Sequence, residues 1–353
     1  MVTKRTGYSH NKLHTRLASV SNQHICVAEV IHLPLSCRGL GIPSFKSIAA
    51  KHNLSIRSSL RDNDDPNMRL LWEMTSHKNI PTDTLLLNSN FPEASRKLSL
   101  ESLSGSLNHI ESLVLQGPSI SSINSTLKKA EIKRWSNLSL SLPDSTFKFV
   151  RKALQNQLAT AANMQRWHRT LSNLCCLCKS IQTNKHVLSN CSFPGSLSRY
   201  TVRHNSILTI ISDYLKATLP SSFTLYVDLP NNNSISSLFD SLRPDLAIMS
   251  PKKITVLELT VCHETNFSPA KLRKIDKYKN LHHYLNPSFS NYVIKIFTLE
   301  VSVLGFISDP TPFLDDLKMK TIPPSILKNI TLSAIEHSKN IYYNRDNSVI
   351  DIA

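Results

Sequence analysis

Apolar positions along the chain follow two different periods. From residue 45 to about 219 they recur every three or four positions, as on a helix with one buried face. From 223 to 304 they come in short runs, the mark of strands. The first period predicts helices over Phe45–Leu60, Ser95–Leu115 and Ser125–Leu138. It then predicts one opened by Pro143-Asp144, whose stripe Phe147, Val150, Leu154, Leu158, Ala161 and Ala162 runs on to Trp167. A further helix, Arg199–Leu219, is stopped by Pro220. The second period predicts strands at Phe223–Leu229, Asp245–Met249, Ile254–Val261 and Tyr292–Leu304, with a helix over Ser268–Leu285 before the last. An amphipathic helix, Ser325–Tyr343, closes the pattern. Strands interleaved with helices predict an α/β domain covered on both faces of its sheet.

Between these elements, Arg61-Asp-Asn-Asp-Asp-Pro66 reads as a solvated turn instead of a paired-carboxylate site, because Asn and Pro stand among the acids. His32 to Ser44 reads as a loop in which Gly39 and Gly41 punctuate apolar residues. Residues 1–30 are polar and basic, and are expected to be poorly ordered.

Charge narrows the partner. Lys and Arg number 41 against 25 Asp and Glu over 353 residues, a formal +16. That balance favours a polyanion, nucleic acid first and an anionic membrane surface second. No basic stretch has a strongly apolar opposite face outside a plausible core, so a membrane role ranks last. No P-loop or dinucleotide-binding glycine pattern occurs, and only seven glycines are present. No apolar run reaches the ~20 residues of a membrane span. The N-terminal residues lack the apolar core of a signal peptide. The expected setting is soluble and reducing.

The cysteines change the picture further. Four of seven fall between Cys175 and Cys191, in the pattern Cys175-x2-Cys178-x7-His186-x4-Cys191. A Cys-x2-Cys turn offers two thiolates to one side of a tetrahedral Zn²⁺, and a His and a Cys close the other. Cys176 could replace Cys175, but the resulting one-residue spacing is a poorer chelate turn. A closed set of four ligands is structural, not catalytic.

A second centre is predicted across a hairpin. Ser250-Pro-Lys-Lys253 joins Asp245–Met249 to Ile254–Glu258; pairing Met249 with Ile254 and counting outward sets Asp245 opposite Glu258. Two carboxylates so placed repel unless a cation lies between them. Mg²⁺, a hard ion held by carboxylates, water and substrate phosphates, is the natural occupant. A lysine is wanted nearby; position 260 is Thr, and Lys274 from the next helix can supply it, with Tyr278 on the same face at i+4. On their own, an Asp and a Glu at strand ends, with Lys274 on a solvated face, would read as incidental; the knuckle before them and the basic helix after them favour catalysis.

At these residues the sequence resembles the C-terminal part of non-LTR retrotransposon polyproteins that carry a restriction-like endonuclease. The stretches that carry the resemblance are His32-Leu-Pro-Leu-Ser-Cys-Arg-Gly-Leu-Gly-Ile-Pro43, Arg166-Trp-His-Arg169, the 175–191 motif, Arg203-His-Asn205, Arg243-Pro-Asp245, Glu258-Leu-Thr-Val261 and Arg273-Lys-Ile-Asp-Lys-Tyr278. The chain departs from the family in having Cys262-His263 where Pro usually follows, Cys176 where the cysteine pair usually holds Pro, and Arg38 before Gly-Leu-Gly. The Cys262-His263 departure raises the question of whether His263, so near Glu258, alters the site. The resemblance implies that Asp245, Glu258, Lys274 and Tyr278 are active-site positions, with His204 contributing, and that Asp245 and Glu258 bind Mg²⁺. It implies nucleic-acid contacts at Arg166, Arg169, Arg203, Arg243, Arg273 and Lys277.

The organisation it implies is a basic segment 1–30, a helical thumb-like remnant of a reverse transcriptase at 31–170, a CCHC zinc knuckle at 171–198, a PD-(D/E)XK endonuclease domain of mixed α/β fold at 199–310 and a helical tail at 311–353. Phe313-Leu-Asp-Asp316 is too far along the chain to be a polymerase motif, so no copying activity is expected. The expected function is nicking of duplex DNA, with RNA as a second partner, nuclear (otherwise cytoplasmic) location, and a separate reverse transcriptase if retrotransposition is involved. The alternative is an inactive, zinc-braced nucleic-acid binder.

Overall fold

The computed structural model describes residues 31–76 and 81–348, so the expectation for residues 1–30 lies outside the described part. The chain divides into two compact units that meet in sequence at Gly117-Pro118.

The first unit is helical: α1 (Phe45–Arg61), α2 (Pro66–Thr75), α3 (Pro81–Leu87) and α4 (Phe91–Ser112). Side chains cap the starts of α1, α2 and α4: Ser44 accepts from Ser47 N, Asp65 from Asn67 N and Asn90 from Glu93 N. The acids of the 61–66 segment thus act as a turn and a cap. Leu54, Trp72, Leu86 and Ala94 form the core. Beside it Arg57 grips buried Asp83 with two 2.8 Å bonds and lies over the Trp72 ring. In the preceding loop Gly39 passes so close to Leu33 that a Cβ would meet its carbonyl oxygen at 1.8 Å.

The second unit is mixed α/β. Helices α5 (Gly117–Thr126), α6 (Lys129–Leu140), α7 (Asp144–Leu154) and α8 (Ala161–Arg166) lead to the long α9 (Pro194–Thr218). The helix expected over Ser125–Leu138 is therefore broken at Leu127-Lys128, and the stripe from Phe147 to Trp167 spans two helices. The second break comes where Asn156 takes a positive φ of 54° and Thr160 caps a fresh start. Arg151 of α7 is buried and bonds Ser139 Oγ at 3.2 Å.

The sheet has four strands in the order β1 (Thr224–Val227), β2 (Leu246–Ser250), β3 (Lys253–Cys262) and β4 (Val293–Ser302). The first two pairings are antiparallel and β3–β4 is parallel, which requires the crossover helix α10 (Phe267–Tyr278) between them. The expected helix to Leu285 gives way after Tyr278 to a short 3-10 turn, Leu281–Tyr284. Both faces are covered. On one, Ile207, Ile211 and Leu215 of α9 meet Leu246, Ile248, Leu257, Leu259, Leu299 and Val301. On the other, Tyr278 and Leu281 meet Ala247, Ile254 and Val256.

Two more helices complete the unit, α11 (Thr311–Asp316) and α12 (Pro324–Tyr343). Far from trailing, α12 puts Ile330 and Ala334 into the first core. Asp316, the last residue of the Phe-Leu-Asp-Asp string, is spent on structure: it binds Lys253 (2.7 Å), Lys295 (2.9 Å) and Thr255 Oγ1 (2.8 Å). The earlier helices are tied in by buried Trp135, whose indole N–H donates to Leu304 O at 2.6 Å and whose ring stacks on Phe306. The turn holding Leu304 needs Gly305 at φ +81°, where a Cβ would meet Thr331 at 2.7 Å. Among the described residues no helix is long and apolar enough to cross a membrane.

Candidate metal centre and carboxylate site

The cysteine turn is a miniature hairpin. Leu174 bridges Ile181, Cys175 N donates to Ser180 O at 2.8 Å, and Lys179 takes the positive φ of 63° that reverses the chain. Its geometry points Cys175 and Cys178 to one side. The opposite wall is a single π-turn, His186–Asn190, that carries His186 and hands over to Cys191. The four ligand atoms lie within 4.8 Å of one another. Cys178 and Cys191 Sγ are 3.7 Å apart, and His186 Nε2 lies 3.3 Å from Cys178 Sγ. A tetrahedron with Zn–S bonds near 2.3 Å has an S···S edge of roughly 3.8 Å, so the spacing suits zinc; a disulfide would need about 2 Å.

Protonation suits it too. Burial opposes ionisation of Cys178, yet hydrogen bonds from Ser180 pull its thiol down to about 7; burial pushes Cys191 up to about 11. Burial keeps His186 neutral, the form that ligates. A divalent cation among them would deprotonate the thiols outright. Cys175 is the buried ligand, whereas Cys176 is exposed and turned to Asp346 Oδ1 at 3.4 Å, which closes the alternative the spacing left open.

The carboxylate site forms where β2 begins beside the middle of β3. Met249 pairs Ile254 and Leu246 pairs Leu257, the register set by a tight turn in which Lys252 takes φ 60°. Asp245, one residue outside β2, donates its N–H to Glu258 Oε1 at 3.0 Å and accepts from Leu259 N–H through Oδ2 at 2.8 Å. Lys274 Nζ reaches in from α10, 2.5 Å from Glu258 Oε2 and 3.9 Å from Asp245 Oδ2. His204 reaches in from α9, its Nε2 3.4 Å from Asp245 Oδ1. Glu258 is fully buried, while Asp245 and Lys274 keep partial exposure (15% and 21% of their side chains), so the site opens on that side.

The electrostatics separate the two acids. Burial, then the neighbouring Asp245 charge, pushes Glu258 up to about 7 against the pull of Lys274. Burial acts on Asp245 in the same direction, but the His204 hydrogen bond and charge, with Lys274, outweigh it and hold Asp245 below the ordinary carboxylate range. His204 is correspondingly raised: burial opposes its charge and Asp245 overrides burial. Tyr278 is wholly buried, its hydroxyl donating to Arg243 O at 3.0 Å and kept protonated by burial. It braces the loop before Asp245 from beneath.

The expected nucleic-acid residues divide. Arg166, Arg169, Arg243, Arg273 and Lys277 are exposed. Arg243 pairs with Asp228, and Lys277 Nζ bonds Tyr278 Oη at 2.8 Å. Arg203 is a correction: it is 1% exposed, donates to Leu188 O and Ser338 Oγ at 2.9 Å each, and presents nothing to a ligand. His263 turns to Glu264 (3.5 Å) and Thr265 (3.1 Å). Sequence reasoning missed Tyr200, whose i+4 spacing from His204 and position nine residues after Cys191 were the available signal.

A family model described as zinc-binding in reverse transcriptase matches residues 122–197. That span takes in α6 to α8 and all four ligands, so residues 122–197 carry a zinc-binding domain of reverse-transcriptase-related proteins, and its ion is Zn²⁺. A search of curated proteins finds no match.

Proposed function

We propose that the chain is a metal-dependent DNA endonuclease of the non-LTR retrotransposon kind, a restriction-like PD-(D/E)XK unit that nicks a duplex target. The observation that carries the reading is the meeting of Asp245, Glu258 and Lys274, from three elements, at a partly open site in the unit that also holds the zinc domain. The donors are hard oxygens whose demand for positive charge is visible in the Lys274 ammonium they attract, so the residues fit Mg²⁺. Asp245 and Glu258 would hold the ion, which when bound supplies Lewis-acid activation of water and charge neutralisation at phosphate.

The chain's own groups do the rest. Lys274, displaced from Glu258, would meet the phosphate or orient the attacking water. His204 keeps Asp245 ionised, and Tyr278 fixes the Arg243 carbonyl and with it the Asp245 backbone. Exposed Arg273 and Lys277 on the same helix, and Arg243 beside the site, would take flanking phosphates, as would Arg166 and Arg169 within the zinc-binding domain. The net +16 supports a polyanionic partner. A polymerase would be supplied separately, and a DNA target would place the work in the nucleus.

One observation favours a second reading, an inactive nucleic-acid binder. Every oxygen of the acidic pair faces a protein partner, namely His204, Leu259 N, Asp245 N and Lys274, a set that is charge-satisfied as it stands. Nicking of supercoiled plasmid in Mg²⁺ or Mn²⁺ separates the two. Nicking lost in Asp245→Ala supports the endonuclease; salt-sensitive DNA binding without nicking, retained in Asp245→Ala, supports the binder.

A further inference from the structure

The zinc domain and the carboxylate site share a helix. Only Ser192 and Phe193 separate ligand Cys191 from the first residue of α9, Pro194. Six residues into that helix, the Tyr200 hydroxyl accepts from Cys191 N–H at 3.2 Å and donates to the carbonyl pair of Val187 (2.8 Å) and His186 (3.2 Å). One hydroxyl therefore clamps His186, in the π-turn, and Cys191, just after it, through their backbone. Arg203, three residues on, adds Leu188 O at 2.9 Å and lies over the Tyr200 ring. His204, the next residue, stands one turn (about 6 Å) along the same face from Tyr200 and touches Asp245.

A second strut runs to the other helix of the site. Lys185, adjacent to ligand His186, donates to Asn266 Oδ1 at 2.9 Å, and Asn266 is the residue before α10, which carries Lys274. Buried Arg203 also bonds Ser338 of α12, so the helix is held at its back as well.

We propose that Tyr200 and Arg203 are positioning residues through which the zinc-bound π-turn sets the orientation of His204 and Asp245, with Lys185 doing the same for the start of the Lys274 helix. A π-turn held by a closed tetrahedral ion is rigid, and a helix transmits position over one turn with little give. The hydrogen-bonded acceptor of Leu259 N–H, Asp245 Oδ2, is the reporter at the far end. This goes beyond zinc as a brace for a nucleic-acid surface: the ion organises the carboxylate site itself. As an account of catalysis it rests on the endonuclease reading, but the coupling can be measured without any activity.

The test is Tyr200→Phe in the full zinc-loaded chain, which keeps the ring and removes the hydroxyl. Amide hydrogen exchange at Leu259 should accelerate roughly five- to tenfold, the share of one typical hydrogen bond. The β3–β4 ladder amides and the bound zinc should stay at wild-type levels. Mn²⁺ affinity, read by electron paramagnetic resonance without DNA, should weaken by a similar factor. Lys185→Met, which leaves α9 untouched, should weaken Mn²⁺ binding while leaving Leu259 exchange unchanged. Wild-type exchange and Mn²⁺ affinity in zinc-loaded Tyr200→Phe would overturn the coupling. An accelerated Leu259 in a protein that never nicks plasmid would sink the endonuclease reading and leave this one standing.

Discussion

The two centres of the second unit are built on opposite plans. The zinc ligands come from one stretch, 175–191, and are soft, closed and almost wholly enclosed. The carboxylate site draws on residues from 204 to 278, and is hard, partly open and already neutralised by Lys274 and His204. A local, closed site folds with its ion and contributes stability; a dispersed, open one depends on a scaffold folded beforehand and is free to exchange what it holds. The carboxylate site can lose a member with little loss of stability, whereas the zinc site cannot.

The largest expected effect tests that directly. Chelating zinc, or Cys191→Ser, should lower the melting temperature of the second unit by on the order of 10–20 °C, because four ligands and the π-turn lose their organiser; scanning calorimetry with and without chelator checks it. Asp245→Asn, by contrast, should stay folded and bind zinc.

Next comes Arg203→Met. Removing a buried guanidinium strands the Leu188 carbonyl and Ser338 hydroxyl it serves, at about 2–3 kcal/mol, read by chemical denaturation. A surface contact to nucleic acid would cost nothing in that assay.

The pH dependence sharpens the same contrast. Glu258 is raised to about 7, so its contribution to stability is fully present below its ordinary unfolded value and is lost as pH rises through about 7. Asp245 is depressed, so its contribution is present above its unfolded value and lost only as pH falls into acid. Because a divalent ion must displace the Glu258 proton, its affinity should rise with pH about tenfold per unit until near 7 and then level off. Glu258→Gln should flatten that profile, and titration calorimetry with Mn²⁺ at several pH values would show it.

The smallest effects belong to the surface. Arg273→Ala should leave the melting temperature unchanged and lower the salt slope of DNA binding by about one, one phosphate contact's worth. Arg243→Ala, losing an exposed pair with Asp228, should move stability by less than about 1 kcal/mol.

What could be read beforehand follows the same division. The zinc ligands were legible because their chelate geometry is a matter of spacing within one stretch. The hairpin register was legible because a tight turn between Ser250 and Lys253 fixes every pair outward from it. Lys274 was within reach for similar reasons, lying one helix after its partner. Arg203 was misread because whether an arginine is buried depends on acceptors far away in sequence, here Ser338. The break at Asn156 was hidden by an apolar stripe that continues through it, since Leu158 is buried from the loop as thoroughly as it would be from a helix. The division at Gly117 leaves no hydrophobic or charge signal of its own.

The Trp135 contact bears on how such a protein can be rearranged over evolution. The stretch matching the zinc-binding family ends at residue 197, but its Trp135 is locked to Leu304 and Phe306, and Glu131 accepts from Ile307 N–H at 2.9 Å. Transplanted alone into another gene, that stretch would carry a bare indole to its new surface and lose the Glu131 tie to Ile307. Shuffling should therefore move it together with the sheet, and expression of residues 122–197 by themselves should give an aggregating fragment even in ample zinc.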